Sequence, residues 1–110
     1  MKTAEVLNRV PDLAGVDVLT VLEALSDPVR LDIVRQLAVC PEATGVTCGK
    51  LELPVSKSTG SHHLKILARA GLTLEREAGT SKYISLRRDE LDQRFPGLLD
   101  SVLGAAPADA

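Results

Sequence analysis

Tryptophan is absent from this 110-residue chain, and Tyr83 and Phe95 are its only other large aromatics, so aliphatic side chains must fill its core. It has no run of about 18 apolar residues, so no membrane-spanning helix is expected. The opening MKTAEVLNRVPDLAG lacks the apolar stretch of a signal peptide. Two cysteines do not make a disulfide framework, and a reducing cytoplasm is the expected compartment. Glycine-rich phosphate loops and catalytic signatures are also missing. A Cys48/His63 nucleophile pair would lack an orienting acid and a pocket. The chain is therefore not expected to be an enzyme or to need a cofactor. Its length suits one domain with a modest core.

Positive net charge is missing too: the formal charge is −2, which at first argues against a nucleic-acid partner. The distribution reverses that impression. Residues 56–88 carry seven basic and two acidic side chains, a local +5 between acidic flanks. Affinity for DNA follows the local footprint of cations rather than the overall charge.

What is present centres on 54–71, PVSKSTGSHHLKILARAG. Ser56 is a suitable N-cap behind Pro54. At about 100° per residue, Leu64, Leu67 and Ala68 share a face with Gly60, while Ser58, His62, Lys65 and Arg69 point the other way. Donors and acceptors crowd the N-terminal half, where a helix entering the major groove meets base edges. The polar face carries no carboxylate. The expected DNA contacts are Ser56, Lys57, Ser58, Thr59, Ser61, His62, Lys65 and Arg69. Two alternating runs, 72–77 and 83–87, joined by a Gly-containing turn over 78–82, predict a β-hairpin. Leu72, Leu74, Ile84 and Leu86 are expected on its buried face, with Arg76 and Lys82 as DNA contacts near its tip. A solvated amphipathic helix, or a winged helix used only for protein–protein contact, is the alternative; a protein-binding face would more often expose aromatics or leucine.

The other segments read as scaffold. In 16–25, Val18, Leu19, Val21, Leu22 and Leu25 cover an arc wider than one core contact needs, so part of it can face a second subunit. Ser26 is expected to cap a helix in which Leu31, Val34, Leu37 and Val39 face in and Arg30, Asp32 and Arg35 face out. A short helix is expected at about 48–53, and a last helix beginning with Pro96 carries Leu98, Leu99, Val102 and Leu103. Those four aliphatics exceed what so short a helix can bury within its own subunit. The expected homodimer interface is Val18, Leu19, Leu22, Leu98, Leu99, Val102 and Leu103. The fold class is mainly α with a small β-hairpin, a winged helix-turn-helix over 16–103. A flexible arm (1–15) is expected before it and a disordered tail (104–110) after it.

LSDPVRLDIVRQLA (25–38), SKSTGSHHLKILARAGL (56–72) and KYISLRRDEL (82–91) together resemble the ArsR/SmtB family of bacterial transcriptional repressors. The resemblance implies a homodimeric repressor on a near-palindromic double-stranded DNA operator, paired through its first and last helices. Family metal sites use a Cys-x-Cys pair near residue 48, or His and Asp on the last helix. This chain has one cysteine there, with Thr47 in place of a second, and only Asp100 on the last helix, so no metal is expected. His62 and His63 point about 100° apart and do not chelate one ion; His63 is expected to pack with one hydrogen bond. Cys40 and Cys48 are the remaining candidates for a redox or metalloid sensor, against a role as small buried side chains.

Overall fold

The computed structural model describes residues 5–7, 12–39, 46–47 and 53–104. They form a 3-10 turn (Leu13–Gly15) and five α-helices: α1 (Val18–Leu25), α2 (Pro28–Ala38), α3 (Lys57–Arg69), α4 (Arg88–Arg94) and α5 (Leu98–Gly104). Four strands, β1 (Glu5–Leu7), β2 (Val46–Thr47), β3 (Thr73–Ala78) and β4 (Ser81–Leu86), make one antiparallel sheet in the order β1-β3-β4-β2. Helices followed by the β3–β4 hairpin make this a winged helix-turn-helix. Within 1–15, Glu5–Leu7 pair with β3 and Leu13 is buried in the core. The short helix expected at 48–53 and the tail from 105 onward lie outside the described residues, apart from Leu53, which is not helical.

Aspartates open the first elements. Asp12 accepts from the Ala14 N–H (3.1 Å), Asp17 from Leu19 (3.4 Å) and Asp27 from both Val29 (2.9 Å) and Arg30 (3.0 Å). The expected cap, Ser26, closes the end of α1 instead, its hydroxyl donating to the Glu23 carbonyl at 2.7 Å. Asp27 wins the cap because Pro28, fixed at the first helical position, makes the preceding residue the cap. The inner stripe of α2 follows from that start: Ile33, Val34 and Leu37 are buried, Leu31 is half-buried, and Val39, expected inside, is 80% exposed past the helix end. Arg30, expected to face out, turns back onto α1.

α3 ends in a Schellman motif. Leu72 N–H donates to the Leu67 carbonyl (3.0 Å) and Gly71 N–H to Ala68 (3.1 Å). Gly71 has φ +85°, and a Cβ there would lie 2.5 Å from Leu13 Cδ2, so glycine is needed for both backbone and space. Arg94 anchors the same corner, donating to the carbonyls of Leu13 (3.0 Å) and Val16 (3.1 Å).

The hairpin turn is shorter than the sequence suggested. Gly79 (φ +63°) and Thr80 alone join the strands, with glycine first as a type II′ turn requires. Ile84 therefore faces Glu75, Leu86 faces Thr73, and Leu74 lies opposite Ser85. Leu74 thus leaves the face expected for it, and fully buried Thr73 takes the place beside Leu86. The last helix begins at Leu98, after Pro96 and Gly97 turn the chain back from α4. That turn lays α5 on α4 and buries Leu99 at 1% exposure, so this residue, expected at a dimer face, belongs to its own chain's core. Leu98, Val102 and Leu103 are half-buried. On α1, Val21, Ala24 and Leu25 turn inward, whereas Val18, Leu19 and Leu22 are 38%, 64% and 41% exposed.

Candidate nucleic-acid interface

The 13 residues of α3 have no acidic side chain. Ser56 caps the helix, accepting from the Thr59 N–H (3.3 Å) and donating to Thr59 Oγ1 (3.0 Å). Its hydroxyl is thus committed to the cap, while the Thr59 hydroxyl keeps its own proton to donate. Gly60, Leu64 and Leu67 form the buried stripe; a Cβ on Gly60 would lie 2.7 Å from Leu53 Cδ1, so this face is pressed against the chain before it. Lys57, Ser58, Thr59, Ser61, His62, Lys65 and Arg69 are all exposed. The sequence places Ser58, His62, Lys65 and Arg69 on one face, and exposure agrees residue by residue. The helix N-terminus adds its partial positive charge at the same end.

The hairpin is electrostatically different. The Arg76 guanidinium stacks 4.6 Å from the Tyr83 ring centre, its direct cross-strand partner. Lys82 Nζ lies 3.6 Å from Glu75 Oε1 and pairs across the strands with Glu77. Lys82 therefore sits between two carboxylates, and Arg76 is held against an aromatic ring. Arg87 and Arg88, which swelled the local positive count, are also spoken for. Arg87, 8% exposed, donates to both Glu90 oxygens (2.9 and 3.1 Å), and this pairing holds the Glu90 carboxyl below its usual range. Arg88 pairs with Asp92 (3.2 Å) and with Asp100. A count that stopped at residue 88 cut these pairs in two. Among the described residues, α3 is the element whose exposed cations face no carboxylate of their own helix.

His63 turns inward from this face. Its Nδ1 lies 3.3 Å from Arg30 Nη1 and 3.9 Å from Asp27 Oδ2. Arg30 also donates to the Ala24 carbonyl through Nε (2.7 Å) and to Glu23 through Nη2 (3.3 Å). The Asp27 carboxyl is held below its ordinary range chiefly by the hydrogen bond from the Arg30 N–H. Helical spacing alone sends Arg30 outward, away from this junction. The available signal was its position three residues after a capping aspartate, one short loop beyond the end of a helix.

Cys40 and Cys48 lie outside the described residues. Among the described residues, no three His, Cys, Asp or Glu side chains group to hold a metal ion, and no helix is long and apolar enough to cross a membrane.

With this geometry in place, likeness to known proteins is informative. Residues 25–77, from the end of α1 into β3, match a helix-turn-helix domain family. The chain is 38% identical over 84 residues to YceK, an HTH-type transcriptional regulator of Bacillus subtilis, covering 74% of this chain and 82% of that protein. It is 42% identical over 64 residues to the HTH-type transcriptional regulator Rv2034 of Mycobacterium tuberculosis, covering 58% of each chain.

Proposed function

Because this chain belongs to the family of HTH-type transcriptional regulators, DNA-binding regulators of transcription, we propose that it is an ArsR/SmtB-type repressor acting as a homodimer on a near-palindromic operator. The observation that carries the reading is the exposed, carboxylate-free face of α3, with its hydroxyls and His62 toward the N-terminal end. In the proposed complex Lys57, Lys65 and Arg69 hold phosphates, and Ser58, Thr59, Ser61 and His62 meet base edges in the major groove. Ser56 fixes the helix start, and the hairpin, through Arg76 and Lys82, adds a secondary contact to the flanking backbone.

Exposed Val18, Leu19 and Leu22, with half-buried Leu98, Val102 and Leu103, support a dimer through α1 and α5. Burying one such leucine is worth about 1.5–3 kcal/mol. In the dimer two α3 helices address half-sites about 34 Å apart, one turn of DNA, or a multiple of it. Thiol sensing by Cys40 and Cys48 is part of the proposal: in sequence both fall within the connection between α2 and α3, where a disulfide or a bound metalloid would shift α3.

The test is selection of genomic DNA fragments by the purified protein, with sedimentation of wild type and of Leu19→Glu with Leu22→Glu. The expected result is an inverted repeat bound by a dimer, and a monomeric variant that no longer retains it. Fragments without a common motif, or a wild-type monomer at micromolar concentration, would contradict the reading and favour a protein-contact module. For the sensor, diamide or arsenite should change operator affinity in wild type but not in Cys40→Ser with Cys48→Ser.

A further inference from the structure

We propose that Arg30 is a positioning residue for operator reading: it ties α3 to the end of α1, so the separation and angle of the two reading helices in the dimer are set through the Arg30–His63 contact. This rests on the dimeric, DNA-reading function proposed above. α1 carries the proposed dimer face and α3 the reading face, so their mutual orientation decides how far apart the two α3 helices stand.

Apolar contacts between the helices hold them together but are non-directional. Arg30 supplies the direction. Its guanidinium sends three N–H groups to three acceptors: Ala24 O (2.7 Å), Glu23 O (3.3 Å) and His63 Nδ1 (3.3 Å). The two carbonyls belong to the last turn of α1, where the helix dipole is negative; Glu23 O is shared with the Ser26 hydroxyl (2.7 Å) and N–H (3.2 Å), so Ala24 O is the stronger anchor. The third acceptor is on α3, the residue after His62, a proposed base reader.

Only a planar fork with fixed, diverging donors serves all three at once; lysine presents a point charge on a flexible stem. A neutral His63 with its proton on Nε2 leaves Nδ1 free to accept. Asp27 completes the joint. Its Oδ2 caps α2 by accepting from the Arg30 N–H (3.0 Å) and lies 3.9 Å from His63 Nδ1. Backbone and side chain of Arg30 are thus both fixed, and three helices meet at one residue. The motif residues Asp27, Pro28 and Arg30 gain a shared purpose: cap, start and clamp.

The experiment measures dimer affinity for the selected operator and for the same operator with one base pair added between half-sites, which moves them by about 3.4 Å and a tenth of a turn. Wild type should lose at least tenfold on the altered spacing. His63→Leu removes the acceptor while keeping volume, and Arg30→Lys removes the fork. Both should bind the native operator more weakly, and their spacing penalty should shrink below threefold. His63→Asn places an amide oxygen near the position of Nδ1 and should restore the wild-type penalty. A merely structural role would lower affinity equally at both spacings. An unchanged spacing penalty in His63→Leu, or His63→Asn as relaxed as His63→Leu, overturns the proposal while leaving the DNA reading intact. A wild type that binds no duplex overturns the DNA reading itself. The His63 variants carry the test even if Arg30→Lys fails to fold.

Discussion

The reading helix and the hairpin beside it look alike in sequence and differ in what their cations do. In α3, Lys57, Lys65 and Arg69 sit on a helix with no acidic residue. In the hairpin, Arg76 lies over Tyr83 and Lys82 beside Glu75. A helix separates neighbours in sequence by 100° and assembles a face every three or four residues, so charge on that face can be read directly from spacing. In a hairpin, partners come from the opposite strand, and register alone decides which charges meet. A count of lysine and arginine, three on α3 and two on the hairpin, therefore does not measure a DNA surface.

The largest expected effect comes from breaking the richer side of this comparison. Lys57→Glu with Lys65→Glu should weaken operator binding more than a hundredfold in filter-binding or anisotropy titrations near physiological salt. Replacing the same pair with alanine should lower the slope of log affinity against log salt by about two, roughly one per phosphate contact. Alanine at Ser58 or His62 should instead cost about 1–3 kcal/mol and relax preference at one base pair. A salt slope untouched by the alanine pair would remove α3 from the phosphate-binding surface.

Next in size is the joint between the two regions. Gly71→Ala places a side chain on left-handed backbone, costing about 1–2 kcal/mol. It also drives a Cβ into Leu13, for about another 1–3 kcal/mol. Thermal denaturation should show a fall of about 8 °C or more in Tm. Little or no change would mean that the helix-to-hairpin corner is looser than the Schellman bonds imply.

Much of this architecture was legible in the sequence, and the misses share a physical cause. The α3 start, its buried stripe and its outward face followed from one N-cap and a 3.6-residue period, all local properties. The hairpin was legible as a hairpin, but its register was not. A turn over 78–82 puts Leu74 opposite Leu86, whereas the two-residue turn at Gly79 and Thr80 shifts pairing by one and sends Leu74 to the other face. Ser26 and Asp27 are both good caps, and the first helical position of Pro28 decided between them. Leu99 and Arg30 depended on which helix lies alongside, knowledge that no local pattern carries. Charge was misjudged for the same reason: Arg87 and Arg88 find Glu90, Asp92 and Asp100 just past the positive window.

The register itself can be tested through Thr73. It is fully buried opposite Leu86, and its Oγ1 has no hydrogen-bond partner among the described residues. An unpaired buried hydroxyl costs about 1–3 kcal/mol, much of which an isosteric methyl recovers. Thr73→Val should therefore raise stability by about 1 kcal/mol in urea titrations while leaving operator affinity unchanged. A loss of stability would mean that the hydroxyl has a partner or that the strands pair differently.

The smallest expected effect lies at the hairpin's own cation. Lys82 must give up Glu75, or share itself with it, to reach a phosphate. The exchange gains little, because an exposed ion pair is worth only about 0–1 kcal/mol to begin with. Its two side chains differ in exposure, 44% for Lys82 against 13% for Glu75, so the carboxylate is the fixed partner and the lysine the mobile one. Lys82→Ala should weaken operator binding less than threefold, preserving the order of preferred sequences and nearly the full salt slope. Glu75→Gln should move affinity the other way by a similar factor, since it leaves Lys82 with Glu77 alone and removes a negative charge near the DNA. Measured beside Lys65→Ala in one buffer series, the pair gives a direct reading of the contrast between helix and hairpin. A tenfold loss for Lys82→Ala, with the slope reduced by about one, would place this lysine on a phosphate in the complex and make the hairpin an equal partner of α3.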